Sequence, residues 1–535
     1  MVFTTRLSFG NALCTCWLLA FLFLFYWQRQ QQQKSDDDVA AAGDTVHHYS
    51  TLVSNSSHAV VKFDKPYKAA EAAAAPPPLE IDNASSNPSS TVLVVAARPA
   101  PPRVSATTII RTTTTTTTTT LHRRHVFDLS EFGAVGDGKT VNTEAFEAAV
   151  AAVKAVEDDG GGKIVVGPGL WLTAPFNVTS HMTLFLCQHA SIVGVQAESL
   201  WPVISALPSY GRGRELPGPR YGSLIHGQYL EDFVITGENG SIDGQGAWWW
   251  RQHKLNKLKY TRGHLIELLW SSNIEISNVT LRNSPFWTVH PYDCTNVTIR
   301  GVTILAPLHS PNTDGIDPDS CRNVLVENCY ISVGDDAVAI KSGWNQYGIK
   351  YARPCVNITI RNVFAHSLVS AGISIGSEMS GGVEDVVVDR VHIWGSRRGV
   401  RIKTSTGRGG YVKNILYTNL TLHNVKMGIV IKTDYGDHPD SGFNPQAFPQ
   451  VANISFHDVF GSKVMYPVVM AGSQEVFITG IEIRNMNVST TNMKKNAFQC
   501  SYLQGKVVGH VFPSPCKELV RQIKVTRQTT HIVTQ

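Results

Sequence analysis

The sequence predicts an all-β protein that folds as a right-handed parallel β-helix, a solenoid of short strands, with a short helix capping its N-terminal end. The first observation is a series of β-branched segments in which a polar residue enters a run of alternating apolar positions, among them SNIEISNVTL, TNVTIRGVTI and RNVLVENCYI. The second is that the segments return about every 23 to 39 residues, a period typical of solenoids. The residues that anchor them are Asn273, Asn296, Asn323, Asn357, Asp385, Asn414, Asn453 and Gly480.

Strands joined by turns must fill each repeat, because no helical periodicity lies between the segments. In a parallel β-helix each coil pairs its strands with those of the next coil at about 4.8 Å and buries one face inside. A β-propeller or a β-sandwich is the alternative architecture, and both need hairpin turns. Turn signals of the Asn-Gly type are scarce between the segments, so the sequence favours the solenoid.

The N-terminal region predicts targeting and linker segments. Residues 1–34 contain an apolar block, ALCTCWLLAFLFLFYW at 12–27. It predicts a signal peptide or, because no small residues of a cleavage site follow it, an uncleaved membrane anchor. Residues 35–125 combine an acidic DDD, an Ala-Pro stretch and a run of threonines, a composition that predicts a disordered stalk. Either targeting segment directs the protein into the secretory pathway, to an extracellular or a single-pass membrane-anchored location.

The predicted folded domain covers residues 126–527, with 528–535 as a tail. It opens with VFDLSEFGAVGDG, a short strand and a Gly-rich turn, and from about Asn142 an amphipathic helix follows that can cover the open end of a solenoid. Charges in this part nearly balance, with 36 Lys and Arg against 34 Asp and Glu from Val126 onward. This balance argues against a nucleic-acid partner.

The nine cysteines favour an oxidising compartment. Cys294, Cys321 and Cys355 each stand two residues before an anchor asparagine on consecutive coils, so we expect them to stack. Buried thiols are favoured over a disulfide there, because neighbouring parallel strands rarely offer the geometry of the bridge. Cys500 and Cys516, near the end of the chain, are expected to form a disulfide.

Acidic residues concentrate on two consecutive coils. Asp314 lies in HSPNTDGIDPDSC, and Asp335 and Asp336 lie in ENCYISVGDDAVAIKSG, 21 and 22 residues later. That separation is close to one coil, so the three side chains can meet on the outer surface. Like charges at close range raise at least one pKa, as a general acid requires. The same residues could instead form Asx turns or bind Ca²⁺.

A pair of cations follows two coils later. Arg401 and Lys403 point to the same side of their strand, because strand side chains alternate. Arginine holds a carboxylate in a bidentate fork and lysine adds a point charge, so the pair suits a sugar acid that lies across several coils. A solvated basic edge strand is the other interpretation.

Three tripeptides in this order, NTD at 312–314, GDD at 334–336 and RIK at 401–403, make the chain resemble glycoside hydrolase family 28, the polygalacturonases. SPFWTVHP at 284–291 and the preceding FGAVGDG support the resemblance, which extends over roughly 126–527. It implies a monomeric enzyme, without cofactor or metal, that hydrolyses α-1,4-galacturonosyl linkages in pectic polysaccharide of the cell wall with inversion.

The resemblance also implies the role of each site residue. Asp335 would be the general acid, and Asp314 and Asp336 would activate the water. Arg401 and Lys403 would bind the galacturonate carboxylate, and Tyr435, in IVIKTDYGD, would close the site.

One element of the family pattern is missing. Where Gly-His-Gly commonly precedes ISIGS, this chain has Ser370-Ala371-Gly372, and His366 lies five residues before Ala371. The change predicts a slow hydrolase with a displaced pH optimum. A pectin-binding wall protein that has lost most turnover is the alternative function, and a Ca²⁺-dependent lyase is a third.

Overall fold

The computed structural model describes residues 123–491 and 497–520. Its α-helices are α1 (Thr143–Ala155), α2 (Gly246–Lys254), α3 (Asn345–Tyr351) and α4 (Lys517–Val520). Strands of the first half are β1 (His125–Asp128), β2 (Gly162–Val166), β3 (Gly169–Thr173), β4 (Phe176–Asn177), β5 (Met182–Leu186), β6 (Ala190–Gly194), β7 (Val203–Ile204), β8 (Arg220–Tyr221), β9 (Ile225–Gln228), β10 (Glu231–Gly237), β11 (Ser241–Asp243), β12 (Ile266–Leu269), β13 (Ser272–Ser277), β14 (Thr280–Arg282) and β15 (Val289–Tyr292). Strands of the second half are β16 (Thr295–Arg300), β17 (Thr303–Leu305), β18 (Arg322–Glu327), β19 (Tyr330–Ser332), β20 (Val338–Ile340), β21 (Cys355–His366), β22 (Ala371–Ile375), β23 (Val383–Trp394), β24 (Arg398–Lys403), β25 (Tyr411–His423), β26 (Met427–Lys432), β27 (Gln450–Val464), β28 (Tyr466–Ala471), β29 (Ile478–Thr490), β30 (Phe498–Ser501) and β31 (Leu503–Phe512).

Apart from the short antiparallel pair β7–β8, the strands form two long parallel rows. Nineteen of them make one sheet, and the other row runs β4-β9-β12-β15 and then β20-β22-β24-β26-β28-β30. Ile316 and Asp319 join the two parts of this second row, because each bridges the coil of β15 to that of β20. We call this second row the site sheet. Coil-to-coil parallel pairing makes the domain a right-handed parallel β-helix, which confirms the predicted fold.

Aliphatic side chains stack inside the coils. Register pairs align one buried residue from each of eight successive coils, namely Ile274, Val297, Val324, Ile358, Val386, Ile415, Ile454 and Ile481. These are the apolar positions that alternate after each anchor residue in the sequence. Their burial next to one another supplies the hydrophobic free energy that holds the coils together.

The anchor residues of the repeats lie within the first four residues of their strands and adopt the left-handed region. All eight have φ between +56° and +65°. Asn, Asp and Gly tolerate this conformation better than other residues, which explains why the sequence repeats them. Asn296 donates from its side-chain amide to Asn273 at 2.9 Å, and Asn323 donates to Asn296 at 3.0 Å. Hydrogen bonds between stacked amides therefore reinforce the coil register.

Helix α1 covers the first coil, as predicted. It starts one residue after the predicted Asn142 and buries Phe146, Ala149 and Val153. The ring of Phe146 stacks on Phe176 of β4 with 4.5 Å between centroids. The helix thereby shields the apolar end of the solenoid from water.

The cysteines follow both predictions. Cys294, Cys321 and Cys355 are free and buried. Cys500 and Cys516 form a disulfide that ties β30 to the segment before α4.

The predicted anchor at 12–27, nearly all of the stalk at 35–125 and the tail at 528–535 lie outside the described residues. Strand β1 begins at His125, one residue before the predicted domain boundary. Among the residues described, none of the helices is long and apolar enough to cross a membrane.

Candidate active site

The three aspartates singled out from the sequence lie together on the outer face of the site sheet. Asp314 stands two residues before Ile316, and Asp335 and Asp336 occupy the turn between β19 and β20. Carboxylate oxygens of the three lie within 4.8 Å of one another. The one-coil spacing in the sequence therefore brings them together in space, and we call them the acid triad.

Close packing of two turns fixes this arrangement. A Cβ atom at Gly334 would lie 2.2 Å from the backbone oxygen of Ser310, so only glycine fits there. The Gly334 N–H donates to the hydroxyl of Thr313 at 3.1 Å. The NTD and GDD turns thus touch directly, and this contact sets the offset of Asp314 from the other two acids.

Asp336 is the most deeply buried member of the triad, with a side chain that is 0% exposed. Its Oδ1 accepts hydrogen bonds from the Ser370 hydroxyl at 2.5 Å and from the Ala371 N–H at 3.0 Å, and its Oδ2 accepts one from Lys403 Nζ at 2.9 Å. Burial raises the pKa of Asp336, but Lys403, Arg401 and the Ser370 hydroxyl outweigh it and bring this pKa well below its usual range. Asp336 is therefore ionised.

The pKa values of Asp314 and Asp335 are shifted in the opposite direction, upward. Burial and the neighbouring Asp335 and Asp317 raise the pKa of Asp314 well above its ordinary value, against the pull of Lys341. Burial and the charge of Asp336 likewise raise the pKa of Asp335. The triad thus combines one carboxylate with two groups that hold a proton more tightly than an ordinary aspartate does.

The RIK cations differ in what they contact. Val400 and Ile402 are buried in the core, which leaves Arg401 and Lys403 on the outer face. Lys403 forms an ion pair with Asp336, whereas the Arg401 guanidinium lies over the Tyr435 ring at 5.3 Å from its centroid. Within the described residues Arg401 forms no ion pair with an acidic side chain. Arg401 is therefore the cation of this pair that is available to a ligand.

Arg398 is a site residue that sequence reasoning missed. It stands at the first position of β24, and its side chain lines the same pocket as Arg401 and Tyr435. Burial and the nearby positive charge of Arg401 lower the pKa of Arg398 to about 10, and it forms no ion pair among the described residues. The alternation that relates Arg401 to Lys403 gave no signal for Arg398, because Arg398 stands at the very start of the strand, at an odd spacing from Arg401. A second unpaired guanidinium therefore faces the pocket.

Lys341 and Glu378 form the inner wall. Lys341 Nζ lies 3.2 Å from Glu378, 3.5 Å from Asp317 and 3.9 Å from Asp314, and it is also 4.2 Å from the centroid of the Trp287 ring. All of these side chains are buried. Burial alone would lower the pKa of Lys341, but the carboxylates raise it above its ordinary value. The lysine thus offsets part of the negative charge beside the triad.

The family resemblance predicts a histidine at position 371, and in this chain Ser370 and Ala371 lie beside Asp336. Ala371 is fully buried, contributes only its backbone N–H and does not line the pocket, whereas Ser370 does. His366 is not a substitute, because it lies on β21 in the long sheet and stacks on Trp394 with 5.2 Å between centroids. The side-chain donor to Asp336 at this place is therefore the neutral hydroxyl of Ser370.

Three groups of side chains in the described part of the chain have the spacing of metal ligands. In one of them, Cys500, Cys516 and Glu518, the two cysteines are joined in a disulfide. The other two are the acid triad and the buried set His264, Glu267 and His290. In the triad, Lys403 already contacts Asp336 and Lys341 lies near Asp314. In the second set, Glu267 accepts two hydrogen bonds from Arg220 at 2.8 and 2.7 Å. In the acid triad and in the set around Glu267, cationic side chains therefore already supply the positive charge that a metal ion would supply.

The pocket in front of the triad has a volume of about 300 Å³. Its wall is mostly charged or aromatic, and it consists of Arg214, Glu215, Phe286, Trp287, Asn312, Asp314, Asp335, Lys341, Val369, Ser370, Glu378, Arg398, Arg401, Lys403 and Tyr435. Every residue that the sequence nominated lines it except Asp336, which lies beneath. An anionic sugar with many hydroxyl groups matches such a wall better than an apolar ligand does.

Known proteins share both the sequence and the fold. Residues 214–510 match the sequence model of glycosyl hydrolases family 28. A probable polygalacturonase of Vitis vinifera is 47% identical over 75% of this chain and 82% of its own, and one of Arabidopsis thaliana is 31% identical over 74% and 81%. The crystal structure of a hyperthermoactive exopolygalacturonase from Thermotoga maritima, 27% identical, superposes with a TM-score of 0.62 over 72% of this chain and 91% of that one. The chain is therefore a glycoside hydrolase that belongs to family 28, as the NTD, GDD and RIK motifs indicate.

Proposed function

We propose that this chain is a polygalacturonase that hydrolyses α-1,4-galacturonosyl linkages in pectic polymers and needs no cofactor. The observation that carries the proposal is the pocket at the acid triad, whose wall also contains two arginines, Arg398 and Arg401, that have no acidic partner among the described residues. A galacturonate polymer offers a glycosidic oxygen to protonate and a carboxylate to bind on each sugar. Relatives named as polygalacturonases support the same substrate.

Asp335 is the proposed general acid. It lines the pocket, and burial beside the ionised Asp336 raises its pKa. It therefore keeps its proton at a pH at which an ordinary aspartate has lost it. A protonated carboxyl group in the pocket wall can donate to the leaving glycosidic oxygen.

Asp336 and Asp314 are proposed to activate the water. Asp336 supplies the negative charge, and Asp314 lines the pocket in which the water would stand. Because the acids are close enough to titrate together, the apparent pKa values belong to the group and not to one member. The raised pKa of Asp314 makes its carboxylate a stronger base than that of an ordinary aspartate, so Asp314 is the member proposed to take the proton from the water while Asp336 stays ionised beside it.

The spacing of the acids differs from the expectation for an inverting pair. Inverting enzymes commonly have carboxyl groups about 6.5 to 9.5 Å apart, whereas the nearest oxygens of the triad lie within 4.8 Å. We still favour inversion, because the family resemblance implies it and because the ionised Asp336 does not line the pocket and so is not placed to attack the sugar. Both oxygens of Asp336 also accept hydrogen bonds. Proton NMR tests this point: the β-anomer should be released first from the α-linked polymer, and the α-anomer would indicate retention.

Arg401 and Arg398 are the proposed ligands of the galacturonate carboxylate. Each can present two parallel N–H donors, and neither has an acidic partner among the described residues. Tyr435 lies under the Arg401 guanidinium and restricts its orientation. Lys403, given this role on the sequence alone, is proposed instead to hold Asp336.

The alternative, a pectin-binding wall protein with little turnover, is favoured by one feature of the sequence, Ala371 at the position where the family resemblance predicts a histidine. The release of reducing ends from polygalacturonate separates the two functions, because a binding protein releases none. The same assay excludes the lyase if the products lack a 4,5-double bond that absorbs in the ultraviolet.

We also propose that the apolar block at 12–27 directs the chain into the secretory pathway, so that the enzyme meets pectic polysaccharide in the cell wall. A reporter fused behind residues 1–40 should enter that pathway. A cytosolic reporter would contradict this location.

A further inference from the structure

The outer face of the site sheet is open at the acid triad but covered on the coils that precede it. Glu267, His290 and Tyr292 alternate with core residues on β12 and β15 and so point outward, as Arg401 does on β24. The three are nevertheless 0% exposed. Another part of the chain must therefore lie across the site sheet at these coils.

That part is the segment 205–219, here called the roof. Leu207 and Tyr210 bury their side chains in a hydrophobic cluster outside the solenoid core, whose other members are Leu269, Phe286, Trp287, Tyr292 and Trp344. The Tyr210 hydroxyl donates to Asp319 at 2.6 Å, and the backbone N–H of Trp344 donates to the Ser209 carbonyl at 2.9 Å. The roof is thus fastened to the outer face by apolar packing as well as by hydrogen bonds.

Arg214 joins the roof to the pocket wall. Its guanidinium donates to Glu378 at 2.6 Å and to Asp437 at 2.8 Å, and it lies 4.1 Å from the centroid of the Trp344 ring. Glu378 is the partner of Lys341 behind the triad. The side chain of Arg214 therefore forms part of the pocket wall, and it is held there by two carboxylates.

A third stretch of chain, 434–449, closes the gap beside the roof. Asp440 accepts hydrogen bonds from Gln346 at 3.1 Å and from Tyr347 at 2.8 Å on helix α3, and Arg212 of the roof donates to the Pro439 carbonyl at 2.5 Å. Segments that are far apart in the sequence thus combine into a continuous wall across one end of the groove.

We propose, given the polygalacturonase activity proposed above, that the enzyme attacks its polymer only at a chain end. A polysaccharide that lies along the groove cannot continue past the roof, because the outward side chains of the preceding coils are already packed against protein. A sugar can therefore occupy the closed end only if it is the last of its chain.

The size of the pocket restricts the product. Phe286 and Trp287, which belong to the apolar cluster under the roof, line the pocket together with Asp314 and Asp335. Its volume of about 300 Å³ is at the lower end for sites that bind small molecules. We therefore expect one galacturonate to be released at each cut.

Product analysis with the full-length protein tests the proposal. Early in the digestion of polygalacturonate, the monomer should be the main product, and viscosity should fall slowly relative to the reducing ends released. A ladder of oligomers with a rapid fall in viscosity would overturn the proposal while leaving the hydrolase function intact. No reducing ends at all would overturn the hydrolase function instead.

A binding measurement tests the closed end without turnover. Calorimetry with Asp335→Asn and galacturonate oligomers of increasing length should give one protein bound per chain at every length, because each chain has one end of a given kind. Stoichiometry that rises with chain length would show that internal segments bind and would overturn the proposal.

A variant of the roof tests whether this segment closes the end of the groove. The double substitution Arg214→Ala with Asp437→Ala removes a cation together with one of its anions, and the share of products longer than the monomer should rise. The exposed Arg251→Ala is the matched control and should leave the products unchanged. An unchanged product distribution in the folded double variant would overturn the role of the roof.

Discussion

Lys403 donates a hydrogen bond of 2.9 Å to Asp336, and both side chains are buried. Arg401 lies two residues earlier on the same outer face, yet it contacts Tyr435 and no acid within the described part of the chain. The two cations of one motif therefore have different tasks. One sets the charge of a carboxylate, and the other faces the ligand.

Substitution of Lys403 tests the first task. Lys403→Met leaves Asp336 as a buried carboxylate without its cation, which we expect to destabilise the fold by about 3 to 5 kcal/mol. The pKa of Asp336 is lowered in the folded protein, so its ion pair contributes stability above its unfolded pKa and loses it as the pH falls through the folded value. The loss in the variant should therefore be largest near neutral pH and shrink in acid, as thermal unfolding at several pH values can show. An equal loss at all pH values would contradict the pairing.

Substitution of the arginines tests the second task. Arg401→Ala and Arg398→Ala should each raise KM for polygalacturonate roughly tenfold to a hundredfold, with a smaller effect on kcat, because each removes a charge-assisted hydrogen bond to substrate. Arg397→Ala is the matched control, since Arg397 is exposed on the adjacent position. If Arg398→Ala behaves like Arg397→Ala in steady-state kinetics, Arg398 does not bind the substrate.

Ser370 is expected to act through Asp336. Ser370→Ala removes the donor at 2.5 Å, so the pKa of Asp336 should rise and kcat should fall about tenfold, with the acidic limb of the pH profile moved upward. Threonine at this position keeps the hydroxyl and should restore most of the rate. An unmoved pH profile in Ser370→Ala would mean that the hydroxyl only fills space.

We expect the stability of the fold to depend on the size of the side chain at position 371. From the sequence alone, Ala371→His would raise kcat or shift the pH profile. Because the Ala371 side chain is fully buried and does not line the pocket, we now expect this change to overpack the site and to cost about 1 to 3 kcal/mol of stability. A melting temperature equal to that of the wild type, together with a shifted pH profile, would restore the first expectation.

The histidine under the roof gives the fold a pH dependence. Burial opposes the charge of His290, but Asp319 and Glu267 outweigh it and raise its pKa to about 9. Because its pKa is higher in the folded protein, protonated His290 stabilises the fold fully below the pKa of a histidine in the unfolded chain, about 6.5. This stabilisation is lost as the pH rises through about 9. Thermal unfolding between these values should show a decline that His290→Gln reduces. The exposed His392→Gln should not reduce it, and a decline equal in both variants would assign the effect to other groups.

Much of the fold was predictable because it repeats. Eight anchor residues at solenoid spacing, seven polar ones and a glycine, indicated the repeating coils, and each has a positive φ. The offset of one coil likewise predicted that Asp314 would meet Asp335 and Asp336. These features depend on local conformation and on the register between neighbouring coils, and both leave a periodic signal in the sequence.

The features that were missed depend on contacts between segments without such a signal. Arg214 meets Asp437, 223 residues later in the chain, through two irregular loops. Arg398 stands at the start of its strand, where alternation does not yet decide the direction of a side chain. Lys403 pairs with Asp336 and Arg401 stays available to the substrate because of the position of Asp336, and no pattern within the RIK motif reveals that position.

The central claim is that the acid triad hydrolyses galacturonan, and the most direct measurement compares the wild type with Asp335→Asn on polygalacturonate. The wild type should release reducing ends, whereas the variant should release almost none and bind the polymer within a few fold of the wild-type affinity, because the amide keeps the shape but has no proton to give. Equal release of reducing ends by both folded proteins would contradict the account.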